Sequence, residues 1–237
     1  MDIEDEILEI IVNARIMYFK NNKQIKNYIN LRELHSYTFS NLIDEYECNY
    51  INLKPYLEEI MNEISEEINK MNFKFKLELS DLEEKDVNII NDLLIYKNHF
   101  NLKSFIEKYI ENNKLNNLML ESMKKSVTGL FKIKHIKRNK GYIILEEIFT
   151  HQKYKVIDLT LSLLENKELY LFTRIITYNK INFLTNITFA FNKNNKLIKK
   201  YIKRYKNVKM SPILKYLSLY NLYKNDKNKI NINTNYI

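Results

Sequence analysis

Glycine, alanine and proline each occur only twice among the 237 residues, tryptophan is absent, and there is one cysteine. So little glycine removes the phosphate-cradling and dinucleotide-binding loops, whose backbone must approach a ligand closely, and leaves almost nothing from which to build a nucleophile elbow. Cys48 alone can form no internal disulfide and no cluster for zinc or iron–sulfur chemistry, which fits a reducing compartment. It reads as a small, half-buried helix residue, because a catalytic thiol needs an activating base beside it. No apolar run approaches the roughly 18 residues that span a bilayer. The first residues, Met1 to Glu6, are acidic where a signal peptide is basic, so the expected location is the cytoplasm, without membrane association. His35, His99, His135 and His151 lie far apart and lack the i, i+4 spacing of a helical metal pair; no metal and no cofactor is expected.

Lys, Asn, Ile, Tyr and Phe are abundant instead. Of 38 basic residues only Arg15, Arg32, Arg138, Arg174 and Arg204 are arginine, the pattern of an AT-rich genome, so part of the +9 net charge is codon drift. Its distribution says more than its sum. Residues 1–94 hold 20 acidic and 10 basic side chains, and residues 95–237 hold 9 and 28. Such a split suits either one half docking on the other or a basic half meeting a polyanion.

The front reads as helices. Ile3, Ile7, Ile10, Ile11, Ala14 and Met17 make one apolar stripe behind an expected Asp2 cap. A second helix carries Ile25, Tyr28, Ile29, Leu34 and Tyr37, and a third begins near Ser40. Pro55 is placed in the first turn of the next, which bears Leu57, Ile60, Met61, Ile64, Ile68 and Met71 opposite a row of glutamates. Phe73 to Leu79 alternate as a short strand, the Ser80/Glu83 capping box opens a helix with Ile89, Ile90, Leu93 and Leu94, and amphipathic stretches follow at 102–112 and 115–125. Beyond Gly129 the period becomes two. A hairpin turns at Asn139-Lys140-Gly141, and strands are predicted at 154–157, 169–178 and 182–191, the last with Phe183, Thr185, Ile187, Phe189 and Phe191 on one face. Five strands in so short a span predict a small antiparallel barrel, SH3-like or related.

The residues Gly141-Tyr-Ile-Ile-Leu-Glu-Glu147, Tyr154-Lys-Val-Ile-Asp158, Leu161-Ser162 and Leu171-Phe-Thr-Arg174 come in an order and spacing that resembles a β-rich module of bacterial proteins, some of which carry a zinc-binding SEC-C motif. The resemblance covers 129–191, about a quarter of the chain, and implies a barrel between helical parts. The glycine expected before the Leu169 strand and any cysteine cluster after it are missing, so no metal chemistry carries over and no activity comes with it.

The predicted fold class is therefore α+β: a helical domain at 1–127, a small barrel at 128–192, a basic helical extension at 193–224 and a flexible tail at 225–237. Paired acids such as Glu58/Glu59 or Glu66/Glu67 fall on solvent faces, and Glu146 and Glu147 point to opposite sides of a strand. Asp158 and Arg174 are read as an internal ion pair. No catalytic residue is assigned, and the chain is read as non-enzymatic. One segment has a specific functional pattern. From Asn194, Leu197, Ile198, Tyr201, Ile202 and Tyr205 take one arc of a helix and Lys196, Lys199, Lys200, Lys203, Arg204 and Lys206 the other. Lys199, Lys200, Lys203, Arg204 and Lys206 are the candidate contacts to a nucleic-acid backbone. The alternatives are a plain solvated face, docking on the acidic front half, or a module that binds a protein partner or a second copy through exposed aromatic surface.

Overall fold

The computed structural model describes residues 3–48, 50–70, 87–96, 103–113, 117–165, 167–208, 210–226 and 230–231. The predicted strand at 73–79 and the Ser80/Glu83 capping box lie outside these residues. Helices precede and follow a closed five-stranded barrel, an α+β arrangement. The compact units are not runs of consecutive residues. One comprises residues 1–36, 125–207 and 227–237, the other residues 37–124 and 208–226.

The barrel unit is built on β1 (Val127–Lys137), β2 (Tyr142–Glu147), β3 (Lys153–Ile157), β4 (Leu169–Tyr178) and β5 (Ile181–Asn192). The order is β3-β2-β1-β4-β5, with β5 returning to β3. Successive neighbours are antiparallel, but a ring of five alternating strands cannot close without one parallel pair. That seam is Val156 against Asn182. The long first strand pairs with both β2 and β4, which makes the barrel one of the OB type among small Greek-key barrels. Register shifts at Ile133/His135 and Thr173/Ile175 supply the bends that closure needs. Its interior is filled by Phe131, Ile133, Ile143, Leu145, Tyr154, Val156, Leu171, Ile175, Leu184 and Ala190.

On β5 the interior side is therefore that of Leu184 and Ala190, and the phenylalanine face is the other one. Phe183, Phe189 and Phe191 are nonetheless buried, and Phe189 stacks on its register partner Phe172 at 5.8 Å. Ile230–Asn231, in the segment read as a tail, adds a two-residue strand, β6, to β5.

Both glycines are used. Gly141 ends the 3-10 turn Arg138–Lys140 with φ +65°, and a Cβ there would lie 2.9 Å from Leu159 Cδ2 and 3.0 Å from Ile25 Cδ1. Gly129 lies under the Glu147 side chain, with 3.0 Å from an added Cβ to its Cγ. Glu147 in turn accepts the backbone N–H groups of Phe149 at 2.7 Å and Thr150 at 2.6 Å, organising the turn into β3.

Two helices belong to this unit at the front. In α1 (Ile3–Tyr18), Val12 is buried and, just past the end, so is Phe19, while Arg15 donates to the Arg138 carbonyl at 2.7 Å and to Ser162 Oγ at 2.9 Å. The predicted apolar stripe of this helix is not its buried face. In α2 (Lys23–Glu45), one continuous helix replaces the two expected; no proline or glycine interrupts it, and Asn22 Oδ1 caps its start by accepting from Gln24 N and Ile25 N. Cys48 follows that helix rather than lying within one, and burial raises its thiol to about 11.

The second unit takes the end of α2 with α3 (Tyr50–Lys70), α4 (Val87–Tyr96), α5 (Phe105–Asn113) and α6 (Leu118–Lys124). Pro55 sits inside α3 rather than in its first turn, because the helix begins five residues earlier. The carbonyl it leaves without a donor belongs to Ile51, a residue 80% exposed, where water can substitute. Phe105 is the centre of an aromatic cluster, stacked on Tyr46 at 4.5 Å and edge-on to Tyr56 at 5.4 Å.

Candidate nucleic-acid interface

Two helices follow the barrel, α7 (Lys196–Tyr205) and α8 (Pro212–Lys224). In α8, Ser211 Oγ accepts from Leu214 N at 3.2 Å and Pro212 opens the first turn, as the sequence indicated. The candidate phosphate contacts belong to α7. Its start is fixed by Asn195, whose side-chain oxygen accepts from Leu197 N at 2.7 Å and Ile198 N at 3.4 Å. Ile198, Tyr201 and Tyr205 are buried, and the two tyrosine rings lie 4.8 Å apart one turn from each other. That anchored side forces the other outward. Lys196, Lys199, Lys200, Lys203, Arg204 and Lys206 are all exposed, on an arc of about 160° at 3.6 residues per turn.

No carboxylate relieves this face from nearby in the chain: residues 169–225 contain 12 lysines and arginines and no aspartate or glutamate. Lys199 reaches Asn194 Oδ1 at 3.4 Å, and the Arg204 guanidinium lies 5.5 Å from the Tyr205 ring centre. The i, i+4 pairs 196/200, 199/203 and 200/204 are all like-charged, each costing an isolated helix about 0.2–0.5 kcal/mol. The buried aromatic side, not the charge pattern, holds the helix.

Strand register puts a further set of cations at the barrel end where α7 begins. Lys153 pairs with Glu146, Glu146 with Lys132, Lys132 with Tyr170 and Tyr170 with Phe191, five residues before α7. Glu146 bonds Lys132 and lies 3.6 Å from both Lys134 and His151. The hydrogen bond from Lys132, with the charge of Lys134, holds its carboxyl down at about 2. Along β2 and β3, Lys155 Nζ stands 4.5 Å over the Tyr142 ring. Sequence patterning did not bring these residues together, because only the pairing register does.

Further buried charges lie away from this set. Arg32 and Arg174 are each 1% exposed. Arg32 donates to the Leu184 carbonyl and Arg174 to Ser126 Oγ at 3.2 Å. The charged neighbour of Asp158 is Arg32 from α2, not Arg174 as the sequence suggested; burial raises the Asp158 carboxyl while Leu161 N, donating at 2.7 Å, and Arg32 oppose the shift. His35 shares this region, edge-on to Phe183 at 5.8 Å, and burial together with Arg32 and Arg174 drives its imidazole down to about 3. Sequence spacing cannot place a charge from a distant helix beside Asp158, just past the end of β3. Among the described residues no three His, Cys, Asp or Glu side chains gather as metal ligands, and no helix is long and apolar enough to cross a membrane.

Fold and site together define a helix-flanked OB-type barrel with a cationic helix after its last strand. The chain belongs to a family of unknown function (DUF7986), whose model matches residues 22–233. No curated protein and no solved structure matches it.

Proposed function

We propose that this protein is a non-enzymatic accessory protein that binds nucleic acid through the phosphate backbone, without base readout. The observation that carries the reading is the exposed cationic face of α7, pinned from behind by Ile198, Tyr201 and Tyr205. Codon drift accounts for lysine abundance but not for the loss of every acid over residues 169–225, nor for like-charge pairs that cost helix stability. A polyanion offsets that cost by releasing its counterions when lysines replace them. The contacts are Lys199, Lys200, Lys203, Arg204 and Lys206, with Lys196 on the same face. OB-type barrels are used elsewhere for oligonucleotides, an analogy of fold that adds weight only because a cationic surface is present as well.

The test is equilibrium binding of the purified chain to mixed-sequence single- and double-stranded RNA and DNA at low salt. Reversing Lys199, Lys200, Lys203 and Arg204 to Glu should abolish binding while leaving the melting temperature near the wild-type value, since all four are exposed. Equal binding by the reversed protein would remove the reading.

A further inference from the structure

The bulge in β1 does more than bend the strand for closure. Lys132 and Lys137 lie on the outer side of the barrel, as register partners of Glu146 and Tyr142. The extra residue at Ile133/His135 brings two consecutive side chains to that same side, since Lys134 approaches Glu146 Oε2 at 3.6 Å and His135 pairs with Ile144, between the interior residues Ile143 and Leu145. Across β2, register adds Lys153 and Lys155 of β3. Lys134, His135, Lys137, Lys153 and Lys155 are all exposed. One acid stands among these bases, Glu146, and Lys132, Lys134 and His151 already surround it. The other acid of the three strands, Glu147, is turned onto the N–H groups of Phe149 and Thr150. Opposite-charge pairs stabilise a solvated sheet face, yet here Lys155 and His135 flank Ile144, and Lys137 faces Tyr142. Two half-buried aromatic rings complete the face. Tyr170 is the register partner of Lys132, and the Tyr142 ring turns one side to the exposed Lys155, whose Nζ stands 4.5 Å over it.

We propose that this outer face of β1, β2 and β3, with Tyr170 at its edge, binds unpaired nucleotides, so that the ligand is single-stranded nucleic acid rather than a duplex. Bases stack on Tyr142 and Tyr170, and the lysines between the rings meet the phosphates. A base arriving on Tyr142 takes the ring face that the Lys155 ammonium now occupies, and the displaced ammonium is left to pair with the phosphate of the same strand. A duplex keeps its base faces inside its own stack and can engage only the lysines. An anionic headgroup or an acidic side chain likewise matches the lysines but leaves the rings unused. The inference rests on the proposed role of α7, whose cations supply the affinity common to every nucleic acid, and adds which class of nucleic acid is preferred.

Fluorescence anisotropy of the full chain tests it, with mixed-sequence single strands of RNA and of DNA about 15 nucleotides long and the DNA duplex of the same sequence. Wild type should bind the single strands at least about tenfold more tightly than the duplex. Tyr142→Ala and Tyr170→Ala should each weaken single-strand binding about tenfold, about 1.4 kcal/mol, and leave duplex binding unchanged. Tyr142→Phe keeps the ring and should bind as wild type. The double variant Lys137→Glu, Lys155→Glu should weaken single-strand binding more than tenfold with an unchanged melt; both positions are exposed, so this arm does not depend on any stability the alanine variants lose. Equal affinity of wild type for single strands and duplex, variants that bind single strands as wild type does, or equal weakening on the duplex would each overturn the inference and leave the α7 reading standing. Failure of the α7 reading shows differently, as undiminished binding when the cations of α7 are reversed, and no binding of any nucleic acid by wild type would remove both.

Discussion

Tyr201 and Tyr205 lie one turn apart on α7 with ring centres 4.8 Å from each other, both buried, and this pair decides where the cations of the helix point. Without an inward anchor, a ten-residue helix with three like-charged i, i+4 pairs would be marginal in water.

Tyr201→Ala is accordingly expected to cost about 3 kcal/mol, the range for removing a large buried ring. Tyr201→Phe keeps the ring and should cost about 1 kcal/mol. Urea unfolding of the two variants checks the difference; equal small losses would mean that the ring does not anchor the helix.

His35 predicts a pH dependence. Its imidazole titrates near 6.5 in the unfolded chain and at about 3 when folded. Between those values the unfolded state binds the extra proton, so this contribution to stability is fully present above pH 6.5 and is lost as pH falls. By pH 5 the loss is about 2 kcal/mol. Asp158, whose carboxyl is raised, acts in the opposite direction, so the measurement is the difference between wild type and His35→Gln, in which the Asp158 contribution cancels. The gap between their urea midpoints should shift against wild type from pH 7 to pH 5. A constant gap would contradict burial of the neutral ring between Arg32 and Arg174.

Gly141→Ala tests the barrel's first turn. The left-handed backbone costs a side chain about 1–2 kcal/mol, and the new Cβ would meet Leu159 Cδ2 at 2.9 Å. A loss of about 2 kcal/mol or more is expected in thermal or urea unfolding, whereas a loss below 0.5 kcal/mol, the scale of an ordinary surface substitution, would count against the turn.

Much of this architecture is legible in the sequence, for local reasons. Alternation from Gly129 onward marks the strands, the turn residues Asn139 to Gly141 mark the first hairpin, and Pro212 marks a helix start through its fixed backbone angle. What is not legible depends on distant partners. The stripe of α1 has core periodicity, yet its buried side is that of Val12 and Phe19, because an amphipathic pattern shows that a face is apolar and not what covers it. The parallel seam of β3 and β5, the outward side of the β5 phenylalanines and the placing of Arg32 rather than Arg174 near Asp158 all follow from closure of the barrel and the passage of α2 beside it. Of the site, the cationic arc of α7 was readable residue by residue, while Lys132, Lys134 and Lys153 enter only through register.

The most direct test of the central claim is the salt dependence of nucleic-acid affinity. If five cations of α7 contact phosphates, the logarithm of the binding constant should fall against the logarithm of salt concentration with a slope of about −4 to −5 on duplex DNA. The Lys199, Lys200, Lys203 and Arg204 to Glu variant should show no measurable binding from which to draw such a line. A wild-type slope near zero, or a steep slope that survives in the variant, would contradict the account.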